Sequence, residues 1–406
     1  MDNLDQFFTN PDVVNNCIET IDFKDYDIVI EPSAGDGSFY NKITGEKIGI
    51  DLDPKIKGLI QQDYLTFDRF IKPNTDKKIL VIGGAGYCGS ILVPQLLNEG
   101  WDVTVYDILW YDPKFPKHPN LKVIQGDVRD TTQVAKACEG KEYLLHLACI
   151  SNDASFELDE KLSTSVNLDS FEPLVIAAKT AGVKRFIFAS SSSVYGVSDQ
   201  PDVTEEHPLL PVSLYNKYKG MCEPLLFKHT DDSFVGVVFR PATVCGYGPR
   251  QRLDVSVNIL TNHAVNKGKI TVFGGEQMRP NLHIQDYVNA CKLLLTASTE
   301  KVANERFNVG FHNMTILEIA KTVKKVVEEI YPEKGSIPIE ITESNDMRSY
   351  HINSEKIKRE LGFVPKYTVE DAVRDLCKAF SEGKLPNSFD DDKYFNIATM
   401  KAVGAK

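Results

Sequence analysis

Two side chains in the segment YNKYK have the spacing that proton abstraction from an alcohol requires. Tyr215 and Lys219 stand four positions apart, so in a helix they would lie on one face. An ammonium group beside a phenol favours the phenolate and lowers the phenol pKa from its usual value of about 10. The phenolate would then act as a general base on a hydroxyl group. Because this spacing is common by chance, the interpretation depends on what the rest of the chain contributes.

A serine-rich segment upstream, SSSSVYG, supplies further candidates. A serine hydroxyl can hydrogen-bond the same substrate oxygen on which the tyrosine acts. The alternative is that these serines form an ordinary solvated turn.

The elements that must position these groups begin with the segment from Lys78 to Asp107. It reads as a short apolar strand, a turn with glycine at every third position, a helix and a second strand ending in an aspartate. Such a turn allows a pyrophosphate to approach the backbone, and the final carboxylate can accept hydrogen bonds from a ribose. The segment predicts a dinucleotide site, with NAD favoured over NADP because no arginine closely follows Asp107. The candidate cofactor contacts here are Gly83, Gly86, Tyr87, Cys88, Gly89 and Asp107.

Further strands and helices alternate after Asp107, and small or polar residues come where two strands end. Asp127, next to Val128, is either a ligand of the adenine amino group or a turn aspartate. Leu147 and Ala148 end another apolar strand, where a backbone would meet the cofactor. This alternation predicts an α/β fold with a Rossmann-type, doubly wound parallel sheet.

Composition argues against several classes of function. The chain has 406 residues, 42% hydrophobic and 25% charged, which is typical of a globular protein of two or three domains. A net charge of −11 argues against a nucleic-acid partner. No apolar run approaches the roughly 20 residues that span a membrane, and the first residues do not resemble a signal peptide, so we expect a cytoplasmic protein. The eight cysteines lack metal-ligand spacing, so reduced thiols and no metal site are predicted.

The first 77 residues resemble the start of a class I S-adenosylmethionine methyltransferase. EPSAGDGSF is similar to the glycine loop of that family, and the resemblance implies that Asp51 and Asp63 would contact the cofactor. Where related adenine methyltransferases carry a catalytic Asn-Pro-Pro-aromatic motif, this chain has Gly84-Ala85-Gly86. We therefore predict a truncated segment that is inert or forms an interface. Residual cofactor binding and methyl transfer are the alternatives.

From Lys78 to about Phe380 the chain resembles an extended short-chain dehydrogenase/reductase of the NAD-dependent epimerase/dehydratase family. GGAGYCG, SSSSVYG, YNKYK, FRPATVCGYGPR and RPNLHIQDYV match blocks of that family in order. The resemblance implies that Ser191, Tyr215 and Lys219 are catalytic and that Tyr215 and Lys219 also contact the cofactor. It also implies NAD as cofactor, a nucleotide-diphosphate sugar oxidised at carbon 4 as substrate, and a homodimer.

Departures from family patterns narrow the reaction. The 4,6-dehydratases carry Asp-Glu after the catalytic residue, whereas this chain has Ser192 and Ser193, so loss of water is not expected. The UDP-galactose 4-epimerases usually carry Asn where this chain has Thr243. The segment 240–258 is most similar to the branch containing GDP-heptose 4-dehydrogenases and related surface-sugar epimerases. Epimerisation and net oxidation therefore both remain open, and a non-catalytic module that senses NAD is the alternative from another class.

The C-terminal half is predicted to form a smaller α/β lobe that binds the nucleotide diphosphate. By position in family blocks, the resemblance assigns Asn258, Arg279 and Arg348 to the substrate. A guanidinium group suits this role because its planar fork can bind two phosphate oxygens. Arg250 and Arg252 either close over the same site or form salt bridges within their loop.

The predicted organisation has four parts: 1–77, the methyltransferase-like segment; 78–250, the NAD-binding domain; 251–380, mainly the substrate lobe, interleaved with that domain; and 381–406, a tail. Apolar residues at helical spacing predict an amphipathic helix from Ile316 to Ile330. The tail shows no such periodicity, so it is expected either to contact a partner or to be disordered.

Overall fold

The computed structural model describes residues 77–111, 115–151, 153–198, 200, 202–344 and 349–405, and the backbone of three short strands nearer the N-terminus. The chain divides into two compact units, Met1–Lys72 and Pro73–Lys406. In the first unit, β1 (Val29–Glu31), β2 (Lys47–Asp51) and β3 (Ile60–Gln61) form a parallel sheet in that order. The segment EPSAGDGSF beyond its first residue, and Asp63, lie outside the described residues, so the methyltransferase-like interpretation stays a prediction.

The second unit is built on a seven-stranded sheet. Its strands are β4 (Lys78–Ile82), β5 (Asp102–Asp107), β6 (Leu121–Gln125), β7 (Tyr143–His146), β8 (Arg185–Ala189), β9 (Val235–Pro241) and β13 (Glu305–Val309). They are arranged in the order β13-β9-β8-β7-β4-β5-β6, and every neighbouring pair is parallel. The first strand of this unit, β4, lies in the interior of the sheet. The chain then adds β5 and β6 on one side of β4, and afterwards β7, β8, β9 and β13 on the other side. The predicted α/β fold with a Rossmann-type parallel sheet is confirmed.

Thirteen helices are described in this unit. They are α1 (Gly89–Asn98), α2 (Thr131–Cys138), α3 (Asp153–Leu158), α4 (Glu160–Thr164), α5 (Phe171–Thr180), α6 (Leu214–Phe227), α7 (Ser256–Lys267), α8 (Ile284–Thr296), α9 (Thr299–Val302), α10 (Ile316–Ile330), α11 (Glu355–Leu361), α12 (Val369–Ser381) and α13 (Asn396–Ala402). Shorter helical turns lie at Ser165–Asp169, Ser192–Tyr195, Pro332–Lys334 and Asp392–Tyr394.

Side chains of the central strand alternate between two hydrophobic layers, because successive residues of a strand point to opposite faces. Ile79 and Val81 of β4 pack in one layer with apolar residues of α1 and α8. Leu80 and Ile82 pack in the other layer with residues of α2, α5 and α6. A strand covered on both faces must be apolar throughout, which explains the uninterrupted apolar run in the sequence.

A smaller lobe packs two further sheets against three helices. One sheet contains β10 (Thr243–Cys245), β12 (Met278–His283) and β14 (His312–Thr315), and the other pairs β11 (Ile270–Phe273) with β15 (Ile339–Thr342). The core of the lobe comes from β11, α7, α10 and α12. The predicted amphipathic helix is confirmed as α10, which begins with a capping box formed by Thr315 and Glu318.

The tail is ordered through residue 405, so the alternative of a disordered tail is wrong. Tyr394 packs with Leu253, which lies in the loop before α7. Met400 of α13 packs with Ile150 and Leu162. The tail contributes a few apolar side chains, at irregular spacing, to two small clusters. Irregular spacing produces no hydrophobic periodicity, which is why the sequence pattern carried no signal.

Among the described residues, no helix is both long enough and apolar enough to cross a membrane. The cysteines of this part of the chain are unpaired. Burial raises the pKa of the Cys138, Cys222 and Cys377 thiols to about 12. These thiols therefore stay protonated at neutral pH and act as small apolar side chains.

His146, the last residue of β7, makes a testable contribution to acid stability. It is 4% exposed, and its ring lies against those of Phe171, Phe186 and Phe188. Burial, with a smaller contribution from the charge of Lys219, lowers its pKa to about 3. An unfolded histidine has a pKa of about 6.5, so the unfolded chain binds this proton first and stability falls as the pH drops through that window.

We expect His146→Leu to remove this pH dependence. Between pH 7 and pH 5 the variant should lose about 2 kcal/mol less unfolding free energy than the wild type. Urea denaturation at the two pH values measures the difference. Equal losses in the two proteins would contradict the assignment.

Candidate active site

A cavity of about 510 Å³ lies at the carboxyl ends of the central parallel strands, where ligands bind in sheets of this order. It brings together most of the predicted site residues. Those that line it are Gly83, Gly86, Tyr87, Cys88, Gly89, Asp107, Asp127, Val128, Leu147, Ala148, Ser191, Tyr215, Lys219 and Arg279. Asn258 is not among the lining residues, and Arg348 lies outside the described part of the chain. No group of three or more potential metal ligands occurs among the described residues.

The glycine turn has no room for side chains at two of its positions. Gly83 has a φ of +81°, and a Cβ there would lie 2.3 Å from the backbone nitrogen of Ala148. At Gly89 a Cβ would lie 2.3 Å from the carbonyl oxygen of Gly84. Helix α1 begins at Gly89, so the positive end of its dipole faces the turn. Bare backbone beside a helix N-terminus fits the pyrophosphate of NAD.

Asp107 ends β5 beside this turn and ties the turn to the sheet. Its Oδ2 accepts a hydrogen bond of 2.9 Å from the backbone N–H of Ala85, and its Oδ1 accepts one of 2.9 Å from Leu109. Burial raises the pKa of this carboxyl, and the two backbone donors oppose the shift. Each oxygen keeps a second lone pair, so the carboxylate can also accept a ribose hydroxyl.

Asp127 has a partner that the sequence analysis did not identify. Nη2 of Arg129 donates to its Oδ2 at 2.6 Å, and Nε of Arg129 donates to its Oδ1 at 3.0 Å. Burial acts to raise the pKa of Asp127, but these bonds outweigh it and hold the pKa below its ordinary value. The carboxylate is therefore ionised and oriented by Arg129 at the cavity wall. Its contact with adenine stays a prediction.

Ser191 caps the short helical turn Ser192–Tyr195. Its Oγ lies 2.7 Å from Oγ of Ser193, and that second hydroxyl donates to Oδ1 of Asn216 at 2.5 Å. A hydroxyl has one proton, so Ser191 is the donor to Ser193 in this arrangement. Rotation of the Ser191 hydroxyl would redirect its proton to a substrate oxygen in the cavity.

Helix α6 carries Tyr215 and Lys219, and Ser213 caps it by accepting from the N–H of Asn216. Nζ of Lys219 donates to the carbonyl oxygen of Ala189 at 2.7 Å, and the side chain is 5% exposed. Both Tyr215 and Lys219 line the cavity, so they share a helix face.

The pKa of Tyr215 does not shift in the predicted direction. Burial raises it well above the usual value, and Cys149 and Asp153 add to the increase. The positive charge that opposes the increase is that of Arg252. Desolvation of the phenolate is therefore the larger effect in the protein alone, and the lower pKa expected from Lys219 together with the positive nicotinamide of NAD stays a prediction.

A buried ion pair supports the serine segment. Glu223 of α6 and Arg240 of β9 pair at 2.6 Å, with side chains 1% and 3% exposed. Oε1 of Glu223 accepts from the hydroxyl of Ser190 at 2.7 Å, directly before Ser191. Nη1 of Arg240 donates to the hydroxyl of Tyr195 at 2.6 Å. The sequence analysis missed this group because its members belong to separate elements.

Asn258 was predicted to contact the substrate, but it is not among the residues that line the cavity. It is 0% exposed. Its Oδ1 accepts from the N–H of Gly246 at 3.0 Å, and its Nδ2 donates to the carbonyl oxygen of Arg252 at 2.8 Å and to the hydroxyl of Tyr87 at 3.1 Å. These bonds engage the amide fully. Asn258 therefore holds the loop that carries Arg252, and its contact with the substrate, through main chain or amide, stays a prediction.

Arg279 of β12 lines the cavity and is 9% exposed. Its Nη1 donates to the carbonyl oxygen of Met278 at 2.9 Å, and its guanidinium carbon lies 5.3 Å from the ring centroid of Tyr350. Its contact with a phosphate stays a prediction.

Arg250 and Arg252 were expected either to close over the site or to form salt bridges within their loop. Both line the cavity, and Arg252 also forms a salt bridge within the loop. Nε of Arg252 lies 2.9 Å from Asp254, and its Nη1 donates to Oγ of Ser151 at 3.1 Å. Nη2 of Arg252 and Nε of Arg250 are buried without a hydrogen-bond partner. A buried charged donor without a partner costs free energy unless an acceptor reaches it.

Other lining residues were not identified from the sequence. They are chiefly Trp110, Tyr111, Ser151, Asn396 and Met400. Trp110 and Tyr111 did carry a usable signal, because residues just beyond a parallel strand lie at the ligand edge of the sheet. Asn396 and Met400 come from the tail, and no local pattern indicated their position.

Comparisons with known proteins found a matching family model and related proteins that cover about three quarters of the chain. The model of the NAD dependent epimerase/dehydratase family matches residues 79–310. A UDP-glucose 4-epimerase from Lactobacillus helveticus is 30% identical over 328 residues, covering 74% of this chain and 96% of that protein. A dTDP-glucose 4,6-dehydratase from Streptomyces griseus is 27% identical over 308 residues, covering 73% of this chain and 91% of that protein.

Solved structures are similar over the same share of the chain. The UDP-glucose 4-epimerase of Thermotoga maritima with UDP-glucose has a TM-score of 0.66 and 26% identity, covering 76% of this chain and 99% of that one. MoeE5 in complex with UDP-glucuronic acid and NAD has a TM-score of 0.65 and 25% identity, covering 75% and 99%.

Proposed function

Because the chain belongs to the NAD dependent epimerase/dehydratase family, we propose that it oxidises the sugar of a nucleotide-diphosphate sugar at carbon 4. NAD, when bound, accepts the hydride from that carbon. The product is then either the epimer, if the hydride returns to the opposite face of the sugar, or the keto-sugar.

One observation carries this proposal: Ser191, Tyr215 and Lys219 line the same cavity as the glycine turn and Asp107. A protein that only sensed NAD would need the glycine turn and Asp107, but not a hydroxyl, a phenol and an ammonium group beside them. The residues that could carry chemistry therefore favour an enzyme over a binding module.

The proposed roles follow from the contacts. Tyr215 takes the proton of the sugar hydroxyl as its carbon loses a hydride, and Ser191 hydrogen-bonds the same oxygen. Lys219 is fixed by the carbonyl oxygen of Ala189, so its charge stays at the cavity wall. The charge of Arg252 opposes the burial that raises the pKa of Tyr215.

Epimerisation or net oxidation is favoured over dehydration. Ser192 and Ser193 follow Ser191, and the Ser193 hydroxyl is engaged between Ser191 and Asn216. In the sequence, no Asp or Glu directly follows Ser191 to supply the acid and base that loss of water requires.

The diphosphate of the substrate is proposed to meet the guanidinium groups of Arg252 and Arg279 at the cavity wall. A UDP-sugar is supported by the similar structures that are complexes with UDP-sugars, and a GDP-sugar by the resemblance of the segment 240–258. Both nucleotides therefore belong in the test.

A panel of UDP-, GDP-, CDP- and dTDP-sugars, incubated with the purified protein and NAD, tests the proposal. Mass spectrometry and NMR should detect an epimer without accumulation of NADH, or a keto-sugar with one NADH for each sugar oxidised. A 4-keto-6-deoxy sugar would instead establish a dehydratase. Binding of NAD without conversion of any sugar would support the sensing module.

We also propose a homodimer. Ile176 of α5 and Met221 of α6 expose apolar side chains, at 47% and 42%, on neighbouring helices of the Rossmann half. Light scattering on the purified protein would test this, and a monomer at micromolar concentration would contradict it.

A further inference from the structure

The tail forms part of the cavity wall. We call residues 391–402 the C-terminal clasp; they contain the turn Asp392–Tyr394 and helix α13. The carbonyl oxygen of Tyr394 accepts from the N–H of Leu253 at 2.9 Å, so the clasp lies against the loop of Arg250 and Arg252. The clasp lies beyond residues 79–310, which match the family model.

Asn396 connects the clasp to the cavity wall. Both polar atoms of its side-chain amide and its backbone N–H have hydrogen-bond partners next to the cavity. Its Oδ1 accepts from Nη2 of Arg250 at 2.6 Å and from the hydroxyl of Tyr111 at 2.9 Å. Its Nδ2 donates to Oγ of Ser151 at 2.9 Å, and its backbone N–H donates to Oδ2 of Asp254 at 3.1 Å. Asn396 is 7% exposed, so these bonds are shielded from water.

Three contacts hold Arg250 in place. Its guanidinium carbon lies 3.5 Å from the ring centroid of Tyr111, Asn396 accepts from Nη2, and the backbone N–H donates to Oγ of Ser90 at 3.3 Å. Ser90 belongs to the first turn of α1, next to the glycine turn. The charge of Arg250 opposes the burial that raises the pKa of Asp107, and both residues line the cavity.

The unused Nε of Arg250 is the second observation. The side chain is 8% exposed, it lines the cavity, and this donor has no partner. A buried donor without a partner costs free energy that a bound anion would recover. The anion that the neighbouring turn and helix terminus fit is a pyrophosphate.

We propose that the C-terminal clasp completes the NAD site: Asn396 positions Arg250, and Arg250 binds the pyrophosphate of NAD. Arg250 is thus a binding residue and Asn396 a positioning residue. The inference rests on the NAD-dependent function proposed above, but binding of NAD can be measured without turnover.

Calorimetric titration of the full chain, freed of nucleotide, tests the role of Arg250. Arg250→Met keeps the length of the side chain and removes its charge. We expect the affinities for NAD and for ADP-ribose to fall about 10- to 100-fold, because a charge-assisted hydrogen bond to phosphate is lost. UDP, which carries the diphosphate of a sugar nucleotide, should bind as it does to the wild type.

Other results of these titrations would contradict either the role of Arg250 or the proposed function. If Arg250→Met weakened UDP instead of NAD, the guanidinium would serve the substrate diphosphate and the proposal would be overturned. Unchanged binding of all three ligands would also overturn it. A wild-type protein that failed to bind NAD would instead refute the proposed function itself.

A double-variant cycle tests the positioning role of Asn396. Asn396→Ala should weaken NAD binding, and the double variant with Arg250→Met should bind NAD no more weakly than Arg250→Met alone. Lys401→Ala, at an exposed position of the same helix, is the control and should bind NAD like the wild type. Additive losses from the two substitutions would show that Asn396 acts independently of Arg250 and would overturn the clasp proposal.

Discussion

Replacing Tyr215 with phenylalanine is expected to lower turnover of the sugar nucleotide by about 10²–10⁴-fold, because the change removes the proposed general base and little else. The aromatic ring and its packing remain, so NAD affinity and thermal stability should stay close to those of the wild type. Turnover is measured with the substrate that the sugar panel identifies, and NAD affinity by calorimetry.

Tyr218→Phe is the matched control, since Tyr218 lies on the same helix and packs edge-on against Phe156 with ring centroids 5.4 Å apart. It does not line the cavity, so its turnover should equal that of the wild type. Turnover of Tyr215→Phe within about tenfold of the wild type would mean that another group is the base.

The pH dependence of turnover follows from the same residue. A general base acts in its deprotonated form, and burial raises the pKa of Tyr215, so the wild-type kcat/KM should rise with pH between 6 and 9. Tyr215→Phe should show no such rise. A wild-type plateau beginning below pH 7 would mean that the positive charges around the phenol outweigh its burial.

Replacing Glu223 with glutamine is expected to destabilise the protein by about 3–5 kcal/mol, because the buried guanidinium of Arg240 would lose its compensating charge. The substitution preserves the shape of the side chain, so the loss reports charge rather than packing. The free energy of unfolding is measured by urea denaturation at pH 7. Ser190 would also lose its carboxylate partner, so turnover should fall in the folded variant.

Glu172→Gln is the control for an ion pair of the same chemistry at the surface. Glu172 pairs with Lys228 at 2.9 Å, but the two side chains are 31% and 65% exposed. Solvent screens such pairs, so the midpoint of unfolding should not change measurably. A loss below about 1 kcal/mol for Glu223→Gln would show that the buried pair is dispensable for stability.

The sequence was informative wherever local chemistry dictates structure. Gly83 could be interpreted because only glycine tolerates both its positive φ and the close approach of Ala148. The apolar run of β4 indicated a strand covered on both faces, and the spacing of Tyr215 and Lys219 indicated one helix face, which the cavity confirms. Each of these inferences depends on residues that are neighbours in the chain.

Relations between distant residues could not be inferred in this way. The pKa of Tyr215 depends on how deeply the folded chain buries the phenol, and burial outweighs the opposing positive charge of Arg252. Asn258 had the right residue type for a phosphate ligand, yet tertiary packing turns its amide into the loop backbone. Arg279 was accessible to sequence reasoning only through its position in a family block.

By itself, the sequence determined the parallel α/β fold, the dinucleotide turn and the residues that line the cavity from the ends of the central strands. These follow from period-two and helical spacing and from the special backbone of glycine. Only the tertiary structure decided that the tail closes the cavity and that Asn396 meets Arg250. The physical reason is that hydrogen bonds between residues far apart in the chain leave no periodic pattern in either segment.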